Sequence, residues 1–373
     1  MTIPPPQCRI ETVLPGRGWF CKAMGFAVGL LLVIAVSTGC RQIRPATSGP
    51  VARLVGTLWW MSPADLNQPI KVWQTELDQL ESLGMHVLVL NGPYVGEAAP
   101  AGAPDPMEAL FEEADRRELA IYVDTLAAPD WWTRADPAPE IARARTRIEA
   151  LARRYGNHPS FAGFYIPYEL YMMWDAQAEL IAALYRDISA ACKRVSPDKA
   201  VMISPFFILD QAGYLGSFRW ASPAEYQQFW TALLKQTQVD IVALQDSGEH
   251  LSCYTLDERR PFLAAMKAAC ATAQKQFWIN IEVGELGVES LPAYTNRFGY
   301  KTHVNDPKTA SAWQAVAPDK LRQKLELAGD YTTTTISWGY QQFIRPALGP
   351  DATRLHEAYR AILMPRGPGK TGR

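Results

Sequence analysis

"FAGFYIPYEL", residues 161–170, reads as a strand that stops on a charge. Phe161 to Tyr168 are apolar or aromatic with no charged side chain, the composition of a pleated segment buried on both faces. Glu169 then stands at its end. A carboxylate at the end of a buried strand needs solvent, a partner or a site.

Seven more runs of this length lie beyond residue 52. They are "RLVGTLWWM" (53–61), "HVLVLNG" (86–92), "LAIYVDT" (119–125), "KAVMISPFF" (199–207), "VDIVALQD" (239–246), "QFWINIEVG" (276–284) and "TTTTISWGY" (332–340). Amphipathic helical patterns separate them. "PIKVWQTELDQLESLG" (69–84) places Val72, Leu77, Leu80 and Leu83 on one stripe and stops at a glycine. Similar stripes follow each later strand, several behind a Ser or Asp suited to an N-cap. Eight such units predict an α/β fold, a single (β/α)8 TIM barrel over residues 52–364. A doubly wound open sheet needs an early glycine-rich phosphate turn, and "MSPADLNQP" (61–69) follows the first strand instead.

The chain of 373 residues carries 37 Lys plus Arg against 38 Asp plus Glu, a net charge of −1 that gives no electrostatic reason to expect nucleic acid. Hydrophobic residues make up 48%, enough for a large core, and 12 Trp with 15 Tyr favour a carbohydrate cleft, where sugars pack on aromatic faces. Residues 1–40 read as an export leader. Arg9, Arg17 and Lys22 precede the apolar run "GFAVGLLLVIAVSTGC", which ends at Cys40. Small residues before a cysteine resemble a bacterial lipoprotein signal in which Cys40 is lipidated, with Ser37 where that motif usually has Leu or Val. An ordinary cleaved signal or an uncleaved anchor are the alternatives. All three export the chain, and with Arg41 after the cysteine the lipoprotein reading points to the outer membrane. Residues 41–51 read as a tether and 365–373 as a frayed tail, whose "GPGKTGR" only superficially echoes a phosphate loop. Cys192, Cys253 and Cys270 allow one disulfide and a spare thiol; a Cys253–Cys270 bridge is one option. No spacing of His and Cys suggests a metal, and no cofactor motif is present.

In such a barrel the site forms at the carboxyl ends of the strands. Those ends carry Trp59, Trp60, Asn91, Asp124, Glu169, Gln245, Asp246, Asn280, Glu282, Glu285 and Trp338. Glu169 stands in the aromatic stretch "IPYELYMMW", which disfavours its charged form and suits a general acid. In "FWINIEVGE" (277–285), alternation puts Trp278, Asn280 and Glu282 on one face and Phe277, Ile279, Ile281 and Val283 on the other. The apolar set should face the helices and the polar set the barrel axis. Glu285 is the rival to Glu282. Asp246 reads as a binding residue or a loop cap.

With Glu169 and Glu282 in these places the chain resembles the large superfamily of TIM-barrel glycoside hydrolases, which carry a Glu acid/base after strand four and a Glu nucleophile after strand seven. "NHPSFAGFYIPYE", "VDIVALQDSG" and "FWINIEVGE" are similar to a bacterial group of glycosidase-like barrels of unknown function, over most of residues 52–364. The resemblance implies retaining hydrolysis of a cell-surface or secreted polysaccharide, with Glu169 as acid/base and Glu282 as nucleophile. Retention requires carboxyl groups about 5–5.5 Å apart, and inversion about 6.5–9.5 Å. Trp59, Tyr168, Trp278 and Trp338 are candidates for sugar stacking; Asn91, Gln245, Asp246 and Asn280 for hydroxyl binding. The best-studied members of the superfamily place Asn directly before the acid/base Glu to bind the sugar 2-hydroxyl, and Tyr168 stands there in this chain. That departure keeps open a non-catalytic carbohydrate-binding lipoprotein, and beyond it a structural envelope protein.

Overall fold

A computed structural model describes residues 51–92, 105, 107–128, 131, 136–216 and 218–365. The leader, Cys40, nearly all of the tether and the tail beyond residue 365 lie outside the described residues.

The barrel strands are β1 (Arg53–Trp60), β2 (Val87–Asn91), β3 (Ala120–Asp124), β4 (Phe161–Ile166), β5 (Ala200–Ile203), β6 (Ile241–Gln245), β7 (Gln276–Glu282) and, after a two-strand excursion, β10 (Thr334–Trp338). All eight pair in parallel and close in the order β1-β10-β7-β6-β5-β4-β3-β2. Closure excludes the open doubly wound sheet.

Side-chain alternation sorts the strands into two cores. Leu58, Val87, Val89, Tyr122, Tyr165, Met202, Ile241, Ala243 and Ile336 pack with one another inside the barrel. The opposite face of each strand packs against the helices, and there Ile279, Ile281 and Val283 of the β7 segment join Phe164, Ile203 and Leu244. The β7 alternation read from the sequence therefore has the parity expected. The helices close this outer shell with one buried stripe each. Ile181, Leu184, Tyr185, Ile188 and Cys192 form the stripe of α5 (Asp175–Val195). Local signals set the ends: Ser222 and Glu225 form a reciprocal capping box at α6 (Pro223–Lys235), with Pro223 at the first helical position.

Between β7 and β10 the chain makes an excursion that the eightfold sequence pattern left unassigned. β8 (Gly284–Leu286) pairs antiparallel with β9 (Trp313–Ala315), and α8 (Leu291–Phe298) lies between them. Leu286, Val288, Tyr294, Phe298 and Val304 bury against Leu215, Leu251 and Tyr254 from the segments after β5 and β6. This third core covers the carboxyl side of β5, β6 and β7. Cys192, Cys253 and Cys270 are all free thiols, so the Cys253–Cys270 bridge does not form. Among the described residues no helix is long and apolar enough to cross a membrane, and no group of three or more His, Cys, Asp or Glu could hold a metal ion.

Candidate active site

Parity carries one residue per strand from the interior core up to the mouth. Beyond Leu58, Val89, Tyr122, Met202, Ala243 and Ile336 come Trp60, Asn91, Asp124, Ser204, Gln245 and Trp338; β7 adds Asn280 and Glu282. Glu169 joins them from the segment after β4. Tyr165 Oη donates to Glu169 Oε1 at 2.8 Å, and Gln245 Nε2 donates to Glu169 Oε2 at 3.0 Å and to the Ser204 carbonyl at 3.1 Å. Ser204 Oγ donates to the Ala243 carbonyl at 2.8 Å and accepts from Asn280 Nδ2 at 3.1 Å. A hydrogen-bonded chain thus links β4, β5, β6 and β7 across the mouth.

Burial pushes the Glu169 carboxyl up, while Tyr165 and Gln245 pull it back by hydrogen bonding to its charged form. Glu282 is buried, and its carboxyl is pushed well above the usual range by desolvation, then by the negative charges of Asp246 and Glu169, against the pull of Lys324. The charge on Glu169 thus bears on the ionisation of Glu282. Lys324, buried on α9 (Pro318–Gly329), donates to the Glu282 carbonyl at 2.7 Å and pairs with Asp246 Oδ2 at 2.9 Å. Asp246 Oδ1 accepts from the Glu282 backbone N–H at 3.4 Å. His250 Nδ1 stands 3.8 Å from Glu282 Oε2. Its ring stacks on Trp338, 5.7 Å between centroids, and lies 5.6 Å from Trp313 of β9. Asp124 accepts from the backbone N–H groups of Gly92 at 2.8 Å and Leu126 at 2.5 Å, and burial raises its carboxyl to about 7.

Buried polar atoms almost always have partners. Here Asn91 Nδ2, Asn280 Oδ1, Glu282 Oε2 and His250 Nδ1 have no hydrogen-bond partner among the described residues. All four belong to the mouth. A ligand rich in hydroxyl groups matches such a set of orphaned donors and acceptors.

Three expected aromatic platforms do not reach this mouth. Trp59 is fully buried on the helix side, 5.1 Å from Trp73 and 6.1 Å from Tyr340, with the Arg345 guanidinium over its ring. Alternation turns Trp59 outward because Leu58 points inward, and Trp60 takes the mouth position. Tyr168 is also fully buried; its hydroxyl donates to Glu140 Oε2 at 3.2 Å and its ring packs edge-on against Trp131. It stands where the superfamily's asparagine would, yet faces the helices. Trp278 faces inward two residues below Asn280, on Tyr122 in the barrel interior, and so lies under the site. Asp246 is bound to Lys324, which makes it a support for the β7 end. Asn91, Gln245, Asn280 and Trp338 do stand at the mouth. Glu285 pairs with Lys320 at 2.5 Å on the excursion, leaving Glu282 as the carboxylate beside Glu169. Trp313 and His250 escaped the sequence reading; the long unassigned run after β7 was the available signal for Trp313, since long insertions in compact folds are often functional.

A closed parallel barrel whose carboxyl-end mouth gathers a glutamate from after β4 and another from β7 has the architecture of the TIM-barrel glycoside hydrolases. By sequence the chain belongs to the family described as domain of unknown function (DUF4434), whose profile matches residues 54–348. No curated protein matches it. Among solved structures it is similar to a "putative alpha-L-fucosidase" from Bacteroides thetaiotaomicron VPI-5482, with 20% identity, 89% of this chain and 98% of that one covered, and a TM-score of 0.63. An endo-beta-1,4-mannanase from Thermotoga petrophila aligns at 11% identity over 85% of this chain and 78% of its own, with a TM-score of 0.52. A beta-galactosidase from the psychrophilic Marinomonas ef1 aligns at 10% identity over 83% and 59%, with a TM-score of 0.51. At these identities the likeness is one of fold.

Proposed function

We propose that this protein is a retaining glycoside hydrolase acting on a cell-surface or secreted polysaccharide. The observation that carries the reading is the convergence of Glu169 and Glu282, from opposite parts of the chain, in one mouth, where the negative charge of Glu169 raises the affinity of Glu282 for a proton. Glu169 protonates the glycosidic oxygen as that bond breaks. Glu282 attacks the anomeric carbon and forms a glycosyl ester. Glu169 then takes a proton from water, which opens the ester and frees both carboxyl groups. The first step needs one proton on the pair, held by Glu169; burial and Asp246 favour a proton on Glu282 as well, Lys324 opposes them, and the nucleophile must lose that proton before it attacks.

Glu169→Gln and Glu282→Gln should each lower hydrolysis of a polysaccharide panel by at least about 1,000-fold while leaving the melting temperature near wild type. Full turnover in either variant refutes the assignment. Proton NMR of the first product formed reads the stereochemistry: an inverted anomer rules out retention. The outward turn of Tyr168 favours a second reading, a carbohydrate-binding protein without turnover. In that case both variants keep glycan affinity and the wild type hydrolyses nothing on the panel.

The leader makes this an exported protein, held in the envelope by lipid at Cys40 and facing the periplasm or the exterior. In a bacterial host, labelled palmitate should enter the wild type and not Cys40→Ser; equal labelling of both overturns the anchor.

A further inference from the structure

A groove of about 400 Å³ opens beside β1 and β10, lined among others by Trp60, Asp65, Gln68, Gln341, Gln342 and Arg345. That volume lies within the range of small-molecule sites. Two features join it to the mouth. Trp60 belongs to both, and Gln341 lies three residues beyond Trp338.

The floor is held firmly. Gln341 clamps the end of β1 from both sides, accepting from the Trp60 N–H at 2.6 Å and donating to the Trp60 carbonyl at 3.2 Å. It does so from a π-helical turn, Tyr340–Ile344, a geometry found often at functional positions. The cation of the groove is paired and its carboxylate is buried and hydrogen-bonded. Asp65 accepts from Ser62 N at 2.8 Å and Ser62 Oγ at 2.5 Å, and Arg345 pairs with Glu76 at 2.7 Å. What remains is neutral: the half-buried Trp60 indole, the exposed Gln342 amide, and Gln68 Nε2, which is buried with no hydrogen-bond partner among the described residues. An anion finds no unpaired positive charge there, since the Arg345 guanidinium is held by Glu76. A pyranose offers an apolar ring face to the indole and hydroxyls to the two amides.

We propose that this groove is a second sugar subsite, which takes a neutral hexopyranosyl unit of the same glycan whose scissile bond lies between Glu169 and Glu282. The inference rests on the hydrolase reading for the position of that bond. It makes the protein a reader of chain length.

The test uses the full chain as a Glu169→Gln/Glu282→Gln double variant, with calorimetric titration of di- and pentasaccharides of glucose, mannose and galactose. At least one pentasaccharide should bind roughly 10-fold tighter than its disaccharide, and adding Trp60→Ala or Gln342→Ala should remove about 3- to 10-fold of that gain. Gln342 is exposed, so its variant reports on binding without threatening the fold. A length gain that survives both substitutions overturns the subsite. So does the absence of any gain with length, or of any oligosaccharide binding. Turnover by the wild type is scored separately. An inactive wild type whose length gain still depends on Trp60 and Gln342 refutes hydrolysis and keeps the subsite; an active one whose gain ignores them does the reverse.

Discussion

At the scale of single residues, the two glutamates differ in what surrounds them. Glu169 accepts from Tyr165 and Gln245, both of which stabilise its charged form, whereas Glu282 Oε2 has no hydrogen-bond partner among the described residues. Tyr165 therefore sets how readily Glu169 holds the proton it must donate. Tyr165→Phe keeps the ring in the interior core and removes one donor to the carboxylate. The Glu169 pKa should rise, so the basic limb of kcat/KM should move up by about 1 pH unit, the worth of a hydrogen bond to a charged group. A variant that loses activity without moving that limb shows that Tyr165 only packs. The same scale explains the miss at Trp59. β1 is buried on both faces, with Leu54 and Trp59 on the helix side and Val55 and Leu58 inside. A strand apolar on both faces has no alternation to read, so either tryptophan could have been the inward one. β7 was legible because its two faces differ in chemistry.

At the scale of elements, length and punctuation made the eight strands and their helices readable, and two features escaped. One is the excursion after β7, whose strands of three residues are too short to show a period. The other is the pair of register breaks that let the barrel close. Pairing shifts between Leu54 and Gly56 on β1, and between Ile121 and Tyr122 as β3 meets Phe161 and Gly163 of β4. A glycine sits at each. A Cβ on Gly56 would lie 2.1 Å from the Val87 carbonyl oxygen, and one on Gly163 would lie 1.9 Å from that of Ala200. These are backbone atoms of paired strands, so neither can yield without opening the sheet. Gly56→Ala and Gly163→Ala should each destabilise by roughly 1–3 kcal/mol, the usual cost of overpacking, and lower the melting temperature by several degrees. Thermal melts indistinguishable from wild type would show that the strands relax at no cost.

At the scale of the molecule, the barrel buries titratable groups whose effects on stability oppose one another. Burial raises Asp124 and Glu249 to about 7 and pushes Glu169 and Glu282 upward as well. It lowers His250 to about 3 and also lowers His303 and His356. An unfolded chain releases carboxyl protons near about pH 4 and histidine protons near about 6.5. Each raised carboxyl therefore stabilises the fold fully below about pH 4, and that contribution is lost as pH climbs through its folded value. Each lowered histidine does the opposite: its contribution is present above about 6.5 and is lost as pH falls toward its folded value. One such proton changes stability by about 1.4 kcal/mol per pH unit. Between about pH 4.5 and 6.5 the raised carboxyls and the lowered histidines act against each other. Above about 6.5 the histidines no longer contribute and the carboxyls act alone. The melting temperature should therefore fall more steeply just above about pH 6.5 than below it. Glu249 accepts from the backbone N–H groups of Leu209 at 2.5 Å and Asp210 at 2.7 Å. Glu249→Gln should remove one proton's share of the fall. Calorimetric melts at pH 5, 6, 7 and 8 measure both; a melting temperature that rises from pH 6.5 to 8 contradicts the account, because the buried carboxyls would then already be charged in the native protein.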